Sequence, residues 1–116
     1  MTDSYSQGKT TVAPDVLITI ARLSALSVAG VSRLASMPGG VNRLFKRGTN
    51  EGVRIETEDN LVNADLYLIL KQDVNIREVS RNVQQQVARA IQEMVGMDIG
   101  EVNIHIEDID YDEEHE

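Results

Sequence analysis

Apolar residues recur along this chain at two periods, and the switches from one to the other mark its elements. Between Val74 and Ile106 the run VNIREVSRNVQQQVARAIQEMVGMDIGEVNIHI reads as a helix, a stop and a strand. Ile76, Val79, Val83, Val87, Ala90, Ile91 and Met94 return at steps of three and four, which gathers them on one side of a 3.6-residue helix, while Arg77, Arg81, Gln84, Gln85, Arg89 and Gln92 fall elsewhere. Asn75 stands at the N-cap with Glu78 three residues on, a pair able to satisfy each other's free backbone donors. Gly96 predicts the stop, because glycine takes the left-handed conformation that closes a helix. After it Val102, Ile104 and Ile106 alternate with Asn103, His105 and Glu107, the period of a strand with one buried face.

Upstream the same two periods continue. Pro14 sits where a helix accepts proline, at its first position, with Asp15 favourable in the first turn. The predicted helix runs to about Val28, with Leu17, Ile20, Ala21, Ser24 and Val28 on one stripe and Val16, Leu23 and Leu26 on a second stripe beside it. Such a wide apolar arc is accounted for by two helices packed side by side or by contact with another subunit, and side-by-side packing is the simpler of the two. Gly30 breaks the helix and Val31 to Ala35 form a brief strand. From Gly52 to Glu58 Val53 and Ile55 alternate with Arg54 and Glu56; Asp59-Asn60 marks a tight turn. Leu61 to Lys71 returns with Ala64, Leu66, Leu68 and Leu70 on one face and Asn63, Asp65, Tyr67 and Ile69 on the other. With a short β segment from Gly8 to Ala13, the order is β-α-β-β-β-α-β. That is an α+β domain, two helices packed on one face of a four- or five-stranded mixed sheet.

Between the brief strand and the hairpin lies SMPGGVNRLFKRGTNEG, glycine-bounded and irregular. Within it Val41, Leu44 and Phe45 share one side of a single helical turn while Arg43, Lys46 and Arg47 point away, a small basic amphipathic element of the kind that rests on membranes or partners. The plainer reading is a loop held to the core by Leu44 and Phe45.

Length and charge sharpen this picture. A chain of 116 residues is one domain, placed here at residues 8–107, with a polar and disordered 1–7 before it and an acidic, disordered 108–116 after it. Of the net charge of −8, almost all belongs to that end: Glu107 to Glu116 holds seven acidic residues and no Lys or Arg, and the remainder is nearly neutral. Removing residues 108–116 is therefore expected to leave stability almost unchanged. A nearly neutral domain with one Phe and three Tyr lacks the basic, aromatic face of a nucleic-acid binder, Arg77, Arg81 and Arg89 being the only residues that argue otherwise. There is no cysteine and no basic-then-apolar leader, and the longest apolar run, Val16 to Val31, is short and interrupted by Arg22. These features fit a cytoplasmic protein.

Catalytic chemistry finds little to build on. Gly8-Lys9-Thr10 echoes the end of a phosphate-binding loop, but the glycine that motif needs five residues earlier is Asp3. His105, with Asp65 and Tyr67 also facing outward, makes a small polar cluster or a weak metal site at most, and surface polarity is the better reading. No nucleophile in a recognisable turn and no pair of carboxylates with divergent environments is present, so neither an enzyme nor a bound cofactor or metal is expected.

The blocks N-I-R-E-V, V-Q-Q-Q-V, I-Q-E-M-V-G and E-V-N-I-H-I, preceded in order by G-K-T-T-V-A-P-D-V-L and by G-V with L-Y-L-I-L-K, resemble the alkaline-shock protein family of bacterial envelope stress response proteins. The likeness spans Gly8 to Ile106. It implies a non-enzymatic role in envelope stress for a cytoplasmic protein, some members of the family being brought to the inner face of the membrane by a membrane-anchored partner. From the residues themselves comes an expectation of self-association. Tyr67 and Ile69 on the outward side of the long strand, with Val16, Leu23 and Leu26 on the first helix, form the candidate interface of a concentration-dependent homo-oligomer. The competing class is a small-ligand- or RNA-binding regulator using the polar sheet face or the basic helix.

Overall fold

The computed structural model describes residues 10–36, 49–50 and 52–111. In chain order these form α1 (Pro14–Leu26), β1 (Val31–Leu34), β2 (Thr49–Asn50), β3 (Val53–Glu58), β4 (Leu61–Lys71), α2 (Ile76–Val95) and β5 (Asp98–Asp110). The α+β class and the two helices on one face of a mixed, five-stranded sheet agree with the sequence. At the start, residues 10–13 belong to no strand, and Gly8 and Lys9 lie outside the described residues. Val12 instead packs on the core as an extended lead into α1. The basic amphipathic segment, Arg43, Leu44, Phe45, Lys46 and Arg47, and the polar residues 1–7 also lie outside the described residues.

Everything is arranged around β4. Leu66 and Leu68 each have partners on both sides: Leu66 pairs with Val53 of β3 and Ile104 of β5, Leu68 with Leu34 of β1 and Ile106 of β5. One edge of β4 is thus shared, antiparallel, by β3 along its first half and β1 along its second, while β5 runs parallel along the whole of the other edge. Alternation sorts β4 as predicted. Val62, Ala64, Leu66, Leu68 and Leu70 are fully buried beneath the helices, and Asn63, Asp65, Tyr67 and Ile69 face the opposite side.

The helices cover that buried face with unequal stripes. On α2 only Val79, Val83, Val87 and Ile91 are buried, while Ile76 and Met94, at the two ends of the predicted stripe, stand out in solvent. Asn75 Oδ1 accepts from the Glu78 N–H at 3.0 Å, and Gly96 closes the helix with φ of 80°. On α1 the buried set is Leu17, Ile18, Ala21 and Ala25, with Ile20 and Ser24 only half-buried. Ala21 and Ala25 carry little beyond a methyl, so the helix lies close to its neighbours, packed side by side with α2 and against β1 and β3.

β5 continues three residues past the predicted end of the domain. The ladder explains why: Leu68 pairs with Ile106 but Ile69 with Asp108, so Glu107 is an extra residue that resets the alternation and returns Ile109 to the core side opposite Leu70. Ile109 packs against the core cluster, and Asp110 Oδ2 accepts hydrogen bonds from Ser32 Oγ and from Arg33 Nη1, the latter at 3.1 Å. Residues 108–110 are therefore structural, contrary to the expectation from charge alone. A chain ended at Glu107 is expected to lose about 2 kcal/mol, the burial of a half-covered isoleucine together with two hydrogen bonds. For a domain of this size that is roughly 10 °C in Tm. A chain ended at Tyr111 should change by less than about 1 kcal/mol, since exposed charge contacts are weak. Thermal melts of the two shortened chains beside the parent check this; equal melting temperatures for both would show that Ile109 and Asp110 hold nothing.

Candidate interaction surfaces

Three surfaces stand out, two of them adjoining on α1 and one on the opposite face of the sheet. The first is the outward side of α1. At 100° per residue Val16, Leu23 and Leu26 face away from the buried stripe, and Ile20, half-buried against the core, stands at the border between the two. Val16 is 47% exposed, Leu23 56% and Leu26 40%, although the two helices do pack side by side. Met94 of α2, 69% exposed, extends this surface: with Asp15, Val16, Thr19 and Ile20 it lines a shallow groove of about 340 Å³. A water-facing helix that is apolar on both sides has no reason to be so unless something covers it.

The second surface is the open face of the sheet. Its centre is a cross-strand cluster set by the parallel register, which brings Asp65 opposite Asn103 and Tyr67 opposite His105. Asp65 Oδ1 lies 3.2 Å from His105 Nε2 and accepts from Asn103 Nδ2 at 3.2 Å, while the rings of Tyr67 and His105 stack with centroids 4.4 Å apart and planes 12° from parallel. Next to them Arg54 and Glu56 pair at 3.1 Å. A little further along, Asn63 Oδ1 accepts from the Glu101 N–H at 2.7 Å and satisfies the first irregularity of β5. A Cβ on Gly100 would meet that same oxygen, so any larger residue there requires the Asn63 side chain to move aside. The polar groups of this face are largely engaged with one another, and Tyr67 and Ile69 are half-buried among them. Among the described residues no three of His, Cys, Asp and Glu gather as metal ligands would.

The third is a groove of about 270 Å³ between α1 and β1, lined by Arg22, Leu26, Arg33, Leu34, Ala35 and Ser36. The sequence placed Met94 on the core-facing stripe of α2 and Arg22 only as an interruption of an apolar run, and neither as part of an exposed surface. Met94 continued the periodicity of a buried stripe, and only the end of α2 projecting past its neighbours leaves it uncovered. The five residues grouped as one interface divide between two surfaces: Val16, Leu23 and Leu26 belong to the helical layer, Tyr67 and Ile69 to the far side of the sheet. The opposed burial of successive β4 residues makes a single patch of all five impossible.

A helix pair laid across one face of a sheet whose central strand is flanked on both edges is shared by many unrelated proteins, so the shape alone names nothing. Over residues 2–111, however, the chain matches the model of the alkaline-shock protein 23 family, described as having a cell envelope-related function. The chain belongs to that family. Its relatives include the uncharacterized protein YqhY of Bacillus subtilis, 32% identical over 107 residues, which cover 90% of this chain and 79% of the relative. The uncharacterized protein Spy1535 of Streptococcus pyogenes serotype M6 is 36% identical over 112 residues, covering 94% and 84%. A second Bacillus subtilis relative, the uncharacterized protein YloU, is 26% identical over 106 residues, 88% of each chain. No solved structure matches the chain. This alkaline-shock family domain has no helix, among its described residues, long and apolar enough to cross a membrane.

Proposed function

We propose that this domain acts in the cell envelope stress response as a non-enzymatic, self-associating interaction module, cytoplasmic and recruited to the inner membrane face by an anchored protein partner. The observation that carries the reading is the outward stripe of α1. Val16, Ile20 and Leu23, continued by Met94, form an apolar strip on a helix that already has a full buried face, and such a strip serves contact with another protein surface. The open sheet face is the weaker candidate for that contact, because its hydrogen-bonding groups are taken up internally and Ile69 is only half-exposed. The outer edge of β5 also discourages strand-to-strand pairing. It carries Asp98, Glu101, Glu107, Asp108 and Asp110, whose like charges would face each other in two copies. The same carboxylates, with Glu56 and Asp65 on the sheet face, oppose an RNA backbone.

Sedimentation velocity over a wide concentration range tests the reading. The parent should grow in mass with concentration, Leu23→Lys should weaken association at least about tenfold by putting a charge in the contact, and Ile69→Lys should behave as the parent. A monomer mass that never changes removes self-association from the account, and loss of assembly in Ile69→Lys alone moves the contact to the sheet.

A further inference from the structure

Sulfur in this chain is confined to methionine. With no cysteine and no tryptophan among the 116 residues, the four methionines are its readiest targets for a two-electron oxidant. Met1 and Met37 lie outside the described residues, and the other two stand three positions apart in opposite settings. Met97 is half-buried and packs against the hydrophobic core, whereas Met94 is 69% exposed, more than any other large apolar side chain described. Its place gives that exposure a consequence. Met94 lines the groove of about 340 Å³ with Asp15, Val16, Thr19 and Ile20, where the apolar strip of α1 passes onto α2. A thioether suits a contact of this kind, because it adapts its shape to the surface it meets and carries no strong hydrogen-bonding group. A sulfoxide does not, since its oxygen must keep its water or find a donor when the groove is covered. Of the described side chains lining the groove only the Thr19 hydroxyl can donate, and the Asp15 carboxylate brings acceptor oxygens alone.

We propose that Met94 is a site of reversible oxidation by hydrogen peroxide, and that its conversion to the sulfoxide releases the self-association of this domain. The inference rests on the reading of the α1 strip as a self-association surface. In the oxidation a lone pair of the Met94 sulfur attacks one peroxide oxygen, and the S–O bond forms as the O–O bond breaks. The transferred oxygen loses its proton to the departing hydroxide, which leaves as water; sulfur gives up two electrons and the peroxide takes them. The return is a two-electron reduction by an external dithiol through a methionine sulfoxide reductase, the oxygen leaving as water and the dithiol becoming a disulfide. Neither step disturbs the fold. Met94 lies on the last turn of α2, beyond the buried stripe that ends at Ile91, so in the separated domain the added oxygen meets solvent and the core is untouched.

Peroxide treatment of the full chain, followed by peptide mass mapping and sedimentation velocity, tests this. Met94 and Met97 fall in the one tryptic peptide that follows Arg89, since no Lys or Arg comes after it, so fragment masses compare the two directly. Met94 should gain its oxygen well before Met97. The parent oxidised at Met94 should associate at least about tenfold more weakly with an unchanged melting temperature, and reductase with dithiothreitol should restore the association. Met94→Leu should associate as the parent does and continue to do so in peroxide, although its other methionines remain oxidisable, and Met94→Gln should be weakened before any oxidant is added. Oxidation of Met97 as fast as Met94 overturns the proposal, as does a Met94→Leu chain that dissociates in peroxide like the parent, or a parent that associates equally well with Met94 oxidised. A parent that never associates overturns it differently, by removing the self-association on which it rests, and that outcome is visible before any peroxide is added.

Discussion

Val87→Asp is expected to abolish cooperative unfolding. Val87 is fully buried at the middle of α2's buried stripe, between Val83 and Ile91, which are themselves without exposure. The described core contains no buried polar or charged residue with which a new carboxylate could pair. An aspartate there must remain charged without a partner or take up a proton, and in either form it displaces a packed isopropyl group. Unpaired buried charge and lost packing together cost about 5 kcal/mol, near the lower end of what a small domain possesses. Far-UV circular dichroism during heating measures the outcome. A parent-like sigmoid melt from Val87→Asp would show that this face of α2 is not the core.

The second large effect is expected at Gly52. Here the shared edge of β4 changes hands. The Tyr67 N–H donates to the Gly52 carbonyl at 2.8 Å and the Tyr67 carbonyl accepts from the Ala35 N–H at 2.7 Å, so β3's lead and β1's end both join β4 at one residue. Gly52 holds φ of 84°, and a Cβ added to it would run into the carbonyl oxygen of Ala35 and stand 3.1 Å from the carbonyl oxygen of Tyr67. Both obstacles are backbone, which cannot swing aside as a side chain does. Gly52→Val should therefore cost about 3 kcal/mol or more through left-handed strain and separation of β1 from β4, and Gly52→Ala somewhat less. Urea titration gives the number. A loss below about 1 kcal/mol for both variants would mean that the junction can open at little cost.

Much of this architecture could be read from residues close together in sequence. Asn75 and Gly96 bound α2 as their chemistry requires, and the ten-residue alternation of β4 left no doubt which side was buried. Features that depend on how strands are registered were out of reach. The grouping of His105 with Asp65 and Tyr67 as a polar cluster was legible from their shared outward side, but they stand some forty positions apart, and nothing in either segment specifies the register that sets Tyr67 rather than Ile69 against His105. The end of β5 was missed for a related reason. Glu107 and Asp108 together break a strict two-residue period, and an acidic pair before an acidic run reads as the start of a solvated end, whereas the bulge at Glu107 carries the strand on to Asp110. Met94 shows the converse failure, a residue with correct periodicity at the end of a helix that outruns what it packs on.

The position of β5 in the chain has a consequence for how the protein is made. β4's partners on one edge, β1 and β3, are synthesised before β4 is complete, but its partner on the other edge, β5, follows only after α2. From Lys71 to Asp110 translation takes roughly two to eight seconds at about 5–20 residues per second. Throughout that interval the nascent chain holds an eleven-residue strand with one open edge, above a helix α1 whose outer stripe is apolar. Two neighbouring ribosomes on one message would present the same pair of sticky surfaces to each other, so the nascent chain is most exposed to mispairing with its own copies before β5 closes the sheet.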